Sequence, residues 1–149
     1  MTATALKKPT PWAQGLGYGG LIPFVGLALA AWLLDPADRA RSVSALLGYG
    51  ATILSFLGAI HWGVAMRDGS APSTSLLVWG VIPSLVAWAA LLVNPVIGLW
   101  LVAAGLWGCL AVDWVVYPRF GLNAWLPMRL VLTAVASFSC VAGALGAMQ

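Results

Sequence analysis

The sequence predicts an all-α membrane protein with five transmembrane helices, arranged as two tandem helical hairpins followed by one helix. Hydrophobic residues make up 62% of the 149 residues and charged residues 7%, whereas soluble domains have roughly 45–50% and about 25%. The apolar residues occur in runs of about twenty, the length that crosses a hydrocarbon core of about 30 Å. The short alternating segments that are typical of a membrane β-barrel do not occur.

Prolines and polar residues delimit the predicted spans. Because a proline disfavours helix at the residue before it, Asp35-Pro36 ends the first span and Asn94-Pro95 ends the third. Arg67 ends the second span, and Pro118 ends the fourth. The charged segment 35–42 is predicted to be a loop. A single bundle domain over the whole chain would then contain spans at residues 16–34, 43–66, 75–93, 96–117 and 126–147.

The positions of the basic residues predict the orientation of the chain. Five of them fall on the side of the N-terminus, namely Lys7, Lys8, Arg67, Arg119 and Arg129, and two, Arg39 and Arg41, fall on the other side. The positive-inside rule then places the N-terminus in the cytoplasm and the C-terminus outside. These residues are few and scattered, so the net charge of +3 indicates a lipid bilayer as the partner rather than nucleic acid. Several of the nine tryptophans lie near span ends, as in an interfacial aromatic belt.

Matched sequences in the first four spans indicate an internal repeat. Gly20-Leu-Ile-Pro23 in span one corresponds to Gly80-Val-Ile-Pro83 in span three, and Ile60-His61-Trp62 corresponds to Val112-Asp113-Trp114. Two such hairpins in tandem would be related by an axis along the membrane normal. Pro23 and Pro83 are each expected to kink their helix. The kinks either open a small vestibule on the cytoplasmic side or only shape the packing.

The repeat makes His61, the only histidine, the counterpart of Asp113. Each lies six residues before an arginine, Arg67 or Arg119, which places both side chains roughly 9 Å inside the level of those arginines. A carboxylate in hydrocarbon costs on the order of 3 kcal/mol, so Asp113 should face the bundle and find a partner. His61 is the expected partner, and Arg129 is a competitor.

Other residues extend this candidate site. Cys109, Asp113 and Tyr117 are spaced by four and form a polar stripe on one helix face. The arginines of the N-terminal side form either a collar that attracts anions or ordinary topology signals. In span two, Gly58 and the Ala59-xxx-Gly63 pattern would allow close helix approach. The candidate ligand or proton site therefore comprises His61, Asp113, Trp62, Trp114, Tyr117, Arg67, Arg119 and Arg129.

Two interpretations of the His61–Asp113 pair remain open. The pair is either an interhelical contact that fixes the packing or a site for a proton or polar ligand, since histidine beside a carboxylate can titrate near neutral pH. One histidine cannot bind haem on both faces, and one His with one Asp falls short of a closed metal site, so no metal or cofactor is expected. No nucleophile–base triad, phosphate-binding loop or CxxC motif occurs, so the chain is not expected to be an enzyme.

The run Gly48-Tyr-Gly-Ala-Thr-Ile-Leu-Ser55-Phe-Leu-Gly-Ala-Ile-His61-Trp62-Gly63 resembles the signature of the small membrane proteins known as domain of unknown function 3429. The resemblance extends to Gly20-Leu-Ile-Pro23-Phe and to Asp113 with Tyr117-Pro118. It implies a five-span protein of bacterial inner membranes or mitochondria, with no assigned activity and no catalytic residues.

We therefore expect an integral protein of the bacterial inner membrane that binds a small ligand or relays protons at His61 and Asp113. The alternative is an accessory or assembly subunit of a larger membrane complex. In that alternative the His61–Asp113 pair is purely structural, and another membrane protein is the partner.

Overall fold

The computed structural model describes residues 8–67 and 74–149, which form six α-helices and contain no strand. The helices are α1 (Pro11–Gly19), α2 (Leu21–Leu33), α3 (Pro36–Arg67), α4 (Thr74–Leu92), α5 (Pro95–Val116) and α6 (Leu126–Gly146). Two short 3-10 turns, Tyr117–Phe120 and Asn123–Trp125, connect α5 to α6. Lys7, which the orientation prediction used, lies outside the described residues.

Within the described residues, five helical segments are long and apolar enough to cross a membrane. The first combines α1 with α2, and the fourth and fifth include the 3-10 turns. The segments are Pro11–Leu33, Pro36–Arg67, Thr74–Leu92, Pro95–Phe120 and Asn123–Gly146. The predicted all-α class with five membrane-spanning helices is confirmed.

The predicted loop between the first two spans is wrong, because α3 begins at Pro36, seven residues before the expected start. Asp35 is the residue that starts the helix, since its Oδ1 accepts hydrogen bonds from the backbone N–H groups of Ala37 at 3.0 Å and Asp38 at 3.1 Å. An acceptor followed by proline is a favourable helix N-terminus. The 32 residues of α3 extend over roughly 48 Å, so its charged first turns can project beyond the hydrocarbon core.

Asn94-Pro95 begins α5 in the same way, with Asn94 Oδ1 accepting from the backbone N–H of Val96 at 2.9 Å. The two polar–proline pairs thus end one span and start the next. As a result, only two residues separate α2 from α3 and α4 from α5. These tight connections hold consecutive spans side by side.

The first span is interrupted at Gly20, three residues before Pro23. Proline lacks the backbone N–H of a helical turn, so carbonyl groups near such a break need other donors. At this break the Tyr49 hydroxyl donates to the Gly20 carbonyl at 2.8 Å. Pro83, in contrast, lies inside α4, which continues on both sides of it.

Helix α3 occupies the centre of the bundle and packs against each of the other four spans. Helix α2 lies between α3 and α6, and α4 lies between α3 and α5. All five spans contribute core side chains, and α4 contributes only the small residues Ala87 and Ala90. The largest apolar core side chains are Phe24, Leu46, Leu54, Leu99 and Leu106. The side of α3 on which a residue lies therefore determines whether its side chain is buried in the bundle.

Small residues allow α3 and α4 to approach closely, but not all of those predicted. Gly58 faces the backbone of Gly80, whose carbonyl occupies the space that a Cβ at Gly58 would need. Ala59 and Gly63 lie on the exposed side of α3, and a Cβ added at Gly63 would meet no neighbouring atom within 4 Å. The close approach is therefore made by the Gly58 face of the helix, one residue away from the Ala59-xxx-Gly63 face.

Candidate functional site

His61 and Asp113 face each other in the interior. His61 lies on the buried face of α3 with 1% of its side chain exposed, and Asp113 lies on α5 with 2% exposed. The His61 Nε2 is 3.4 Å from Asp113 Oδ1, so the contact predicted from the repeat is present. The distance permits an electrostatic contact, but the atoms do not have hydrogen-bond geometry. In the described part of the chain, both ring nitrogens are buried without a hydrogen-bond partner.

Arg129 is the closer partner of Asp113. Its Nε and Nη2 atoms both donate to Asp113 Oδ2, at 2.8 and 2.7 Å, and its side chain is 9% exposed. The two donors converge on one carboxylate oxygen and leave Oδ1 towards His61. Arg129, the expected competitor of His61, is thus the main partner of Asp113, and it lies in the interior rather than in a collar on the cytoplasmic rim. A buried carboxylate needs a counter-charge, and the first turns of α6 bring this arginine beside it.

The polar stripe of α5 is buried as expected, with Cys109 and Tyr117 above and below Asp113. Tyr117 is the first residue of the 3-10 turn that follows α5, and its side chain also interacts with Arg129. Cys109 is a free thiol, as is Cys140 on α6. Among the residues that the structure describes, no group of three His, Cys, Asp or Glu side chains could hold a metal ion.

Four of the predicted site residues lie away from this cluster. Arg67 and Arg119 are exposed near the ends of α3 and α5. Trp62 and Trp114 are both partly exposed on the outside of the bundle, and the Trp62 indole N–H donates to the Leu77 carbonyl on α4 at 2.9 Å. Trp62 thus connects α3 to α4 by a hydrogen bond and does not line the interior.

Arg119 also borders a cavity of about 320 Å³ beside α4. This space lies between the N-terminal turns of α4 and the end of α5, where Trp79 and Phe120 also border it. None of the residues of the His61, Asp113 and Arg129 cluster lines it.

A larger cavity of about 560 Å³ lies between the first span, α3, α5 and α6. Its wall is mostly apolar, and the break at Gly20 borders it. The polar part of the wall consists of Tyr117, Arg129 and Thr133. Arg129 therefore contacts Asp113 and the cavity at once, whereas His61 and Asp113 do not line the cavity. No sequence pattern reveals this cavity, because its walls come from four separate spans.

Thr133 and Ser137 extend the polar face of α6 one and two turns beyond Arg129. Both are buried, and neither hydroxyl has a hydrogen-bond partner within residues 8–67 and 74–149. Ser139 on the same helix donates to the Val135 carbonyl at 2.9 Å, as helical serines commonly do. Thr133, but not Ser137, lines the large cavity. The spacing of four from Arg129 is the sequence signal that could have revealed this face.

Comparisons with known proteins agree with this architecture. The sequence profile of the family described as "Protein of unknown function (DUF3429)" matches residues 9–145. Transmembrane protein 69 of Xenopus tropicalis is 37% identical over 142 residues, which cover 92% of this chain and 55% of the relative. The chain thus spans about half the length of this curated relative. No solved structure matches the chain significantly.

Proposed function

The chain belongs to the family of proteins of unknown function DUF3429, and we propose that it is a non-enzymatic membrane protein that binds a small ligand inside its helix bundle. The ligand occupies the large cavity and contacts the cluster of His61, Asp113 and Arg129 through the arginine. The protein is oriented with its N-terminus in the cytoplasm of a bacterium and its C-terminus outside the inner membrane, as the count of basic residues supports.

One observation carries the proposal, namely that the buried ion pair meets the cavity at Arg129. Ligand sites are commonly cavities of about 300–1,000 Å³ with apolar walls and a few polar groups that fix the orientation of the ligand. The cavity of about 560 Å³ has this composition. Asp113 in turn holds the Arg129 side chain in place, so the polar wall is organised before a ligand enters.

A proton relay is less well supported by the same geometry. Protonation of Asp113 would remove the charge that Arg129 pairs with and would leave the guanidinium buried without a counter-ion, which is costly. Binding requires no such step. His61 has unpaired ring nitrogens, but the aspartate that would exchange a proton with it is held by Arg129 through Oδ2.

The alternative role is that of an accessory or assembly subunit, in which the cluster only fixes the packing of α3, α5 and α6. The ion pair alone is consistent with that role, because it joins α5 to α6 and contacts α3. The cavity favours the ligand-binding role, since a purely structural cluster needs no space beside Arg129.

Filling the cavity from α1 tests the proposal. Ala13 lines the cavity, whereas its neighbour Gln14 is exposed and does not. We expect protein purified from its own membrane to retain a small molecule in native mass spectrometry, Ala13→Trp to lose it, and Gln14→Trp to keep it. A wild-type chain without a retained molecule, or equal retention in the two variants, would contradict the proposal.

A further inference from the structure

We infer that the ligand of the large cavity is an uncharged single-chain amphiphile with an oxygen-bearing headgroup that pairs with the Thr133 hydroxyl. The headgroup lies against the polar wall, and the apolar chain lies along the wall that the first span provides between Ala13 and Phe24. This inference rests on the proposed function and adds to it the class of ligand and the residue that selects the headgroup.

The charges around the cavity favour a neutral headgroup. Arg129 is the one charged side chain among the described residues that line the cavity, and the Asp113 carboxylate already pairs with it through two short hydrogen bonds. The pair is buried and carries no net charge. A charged headgroup at this depth would be left without a counter-ion in an environment of low dielectric constant, where unpaired charges are strongly unfavourable. A hydroxyl or carbonyl headgroup avoids that cost.

The Thr133 hydroxyl supplies a hydrogen bond that such a headgroup can use. Its side chain is 2% exposed, it lines the cavity, and its Oγ1 has no partner in the described part of the chain. A buried hydroxyl without a hydrogen bond costs about 1–3 kcal/mol. A hydroxyl both donates and accepts, so it can pair with an alcohol or with a carbonyl oxygen.

The shape and surroundings of the cavity favour one apolar chain taken from the bilayer. Leu16 and Phe56 line the cavity and are 75% and 64% exposed, so its mouth is apolar and faces the lipid side of α1 and α3. Along the first span the lining runs from Ala13 to Phe24, which corresponds to roughly 16 Å of helix. An extended alkyl chain can follow this length.

The headgroup preference can be measured on the wild-type protein. Native mass spectrometry in detergent micelles would titrate the protein with dodecanol, dodecyl phosphate and dodecyltrimethylammonium, which share one chain and differ in charge. We expect dodecanol to bind saturably with one molecule per chain, and the two charged probes to bind at least about tenfold more weakly. Equal or tighter binding of a charged probe would overturn the inference without the need for any variant.

Variants at Thr133 test the role of the hydroxyl. Thr133→Val keeps the shape and removes the hydroxyl, so we expect about tenfold weaker binding of dodecanol, whereas Thr133→Ser should bind it as the wild type does. Unchanged dodecanol binding by Thr133→Val would overturn the assignment of Thr133. If no probe binds while Ala13→Trp still expels the native molecule, the ligand class is wrong and the proposed function stands. If Ala13→Trp expels nothing, the proposed function itself fails.

Discussion

Replacing Asp113 by asparagine removes the charge that Arg129 pairs with and changes almost nothing else in shape. In the wild-type protein, two nitrogens of the guanidinium donate to Asp113 Oδ2 at 2.8 and 2.7 Å. The exposed fractions of the two side chains are 9% and 2%, so water cannot replace the lost charge. We therefore expect Asp113→Asn to leave a buried, uncompensated guanidinium and to destabilise the bundle.

The expected magnitude follows from the burial of the pair. Removing one partner of a buried ion pair costs about 3–5 kcal/mol. The asparagine oxygen can still accept a hydrogen bond from Arg129, which places the expected loss at the lower end. Because about 1.4 kcal/mol corresponds to a factor of ten in an equilibrium constant, the folding equilibrium should shift by roughly a hundredfold.

Asp38 provides a matched control on the same chain. Its carboxylate contacts Arg41 at 3.0 Å, but the two side chains are 48% and 81% exposed. An exposed ion pair contributes about 0–1 kcal/mol, so Asp38→Asn should be nearly neutral. Unfolding of each variant in mixed micelles with increasing dodecyl sulfate, followed by tryptophan fluorescence, would give the free energies of unfolding.

The double variant Asp113→Leu with Arg129→Met completes the test. Replacement of both partners by apolar side chains is often neutral or stabilising, so the double variant should recover most of the stability that Asp113→Asn loses. Equal losses for Asp113→Asn and Asp38→Asn would refute the reasoning, because they would mean that the pair is hydrated. A double variant as unstable as the single one would refute it as well.

Two further predictions concern the helices that position the cluster. Gly58→Ala should destabilise the protein by about 1–3 kcal/mol, because the added Cβ meets the Gly80 carbonyl. Gly63→Ala, on the open side of α3, should be neutral or stabilising by up to about 1 kcal/mol. Equal effects of the two substitutions in the same unfolding assay would contradict the close approach of α3 and α4. Asp35→Ala should lower the free energy of unfolding by about 1 kcal/mol, because it removes the helix cap. Asp35→Asn should lower it less, since asparagine keeps the accepting oxygen, and identical losses would exclude capping.

The sequence was sufficient for the class of fold because hydrophobicity alone determines which segments can cross a membrane. It also predicted the contact between His61 and Asp113. His61 lies six residues before Arg67 and Asp113 lies six residues before Arg119, so both side chains are expected at the same depth in the membrane. The start of α3 was misplaced because charged residues were interpreted as a loop. Asp35 followed by proline is a helix start, and that local signal outweighs the polarity of the next residues.

The sequence indicated Arg129 both as a competitor for Asp113 and as one of the arginines of the collar, and it did not decide between these two positions. An arginine near the end of an apolar run usually lies at the membrane surface as a topology signal. Its immediate sequence neighbours do not distinguish such a surface arginine from a buried one. The distinction appears over two more turns, where Thr133 and Ser137 continue the same face with polar side chains. A helix that places an arginine and two hydroxyl groups on one stripe directs that stripe to the protein interior, because lipid cannot satisfy those groups. The cavity could not be predicted in this way, since its walls come from segments far apart in sequence.

The position of Arg129 decides which substitutions can separate structure from binding. Because this side chain contacts both Asp113 and the cavity, a change at Arg129, or at the Asp113 carboxylate that holds it, alters packing and a ligand contact together, and a lost phenotype would not identify the cause. Thr133 borders the cavity, and its buried hydroxyl makes no hydrogen bond to any described residue. Thr133→Val should therefore weaken binding while leaving stability equal or higher, since it replaces an unpaired hydroxyl by a methyl group. A cluster that is only structural and binds no ligand cannot produce weaker binding together with equal or higher stability.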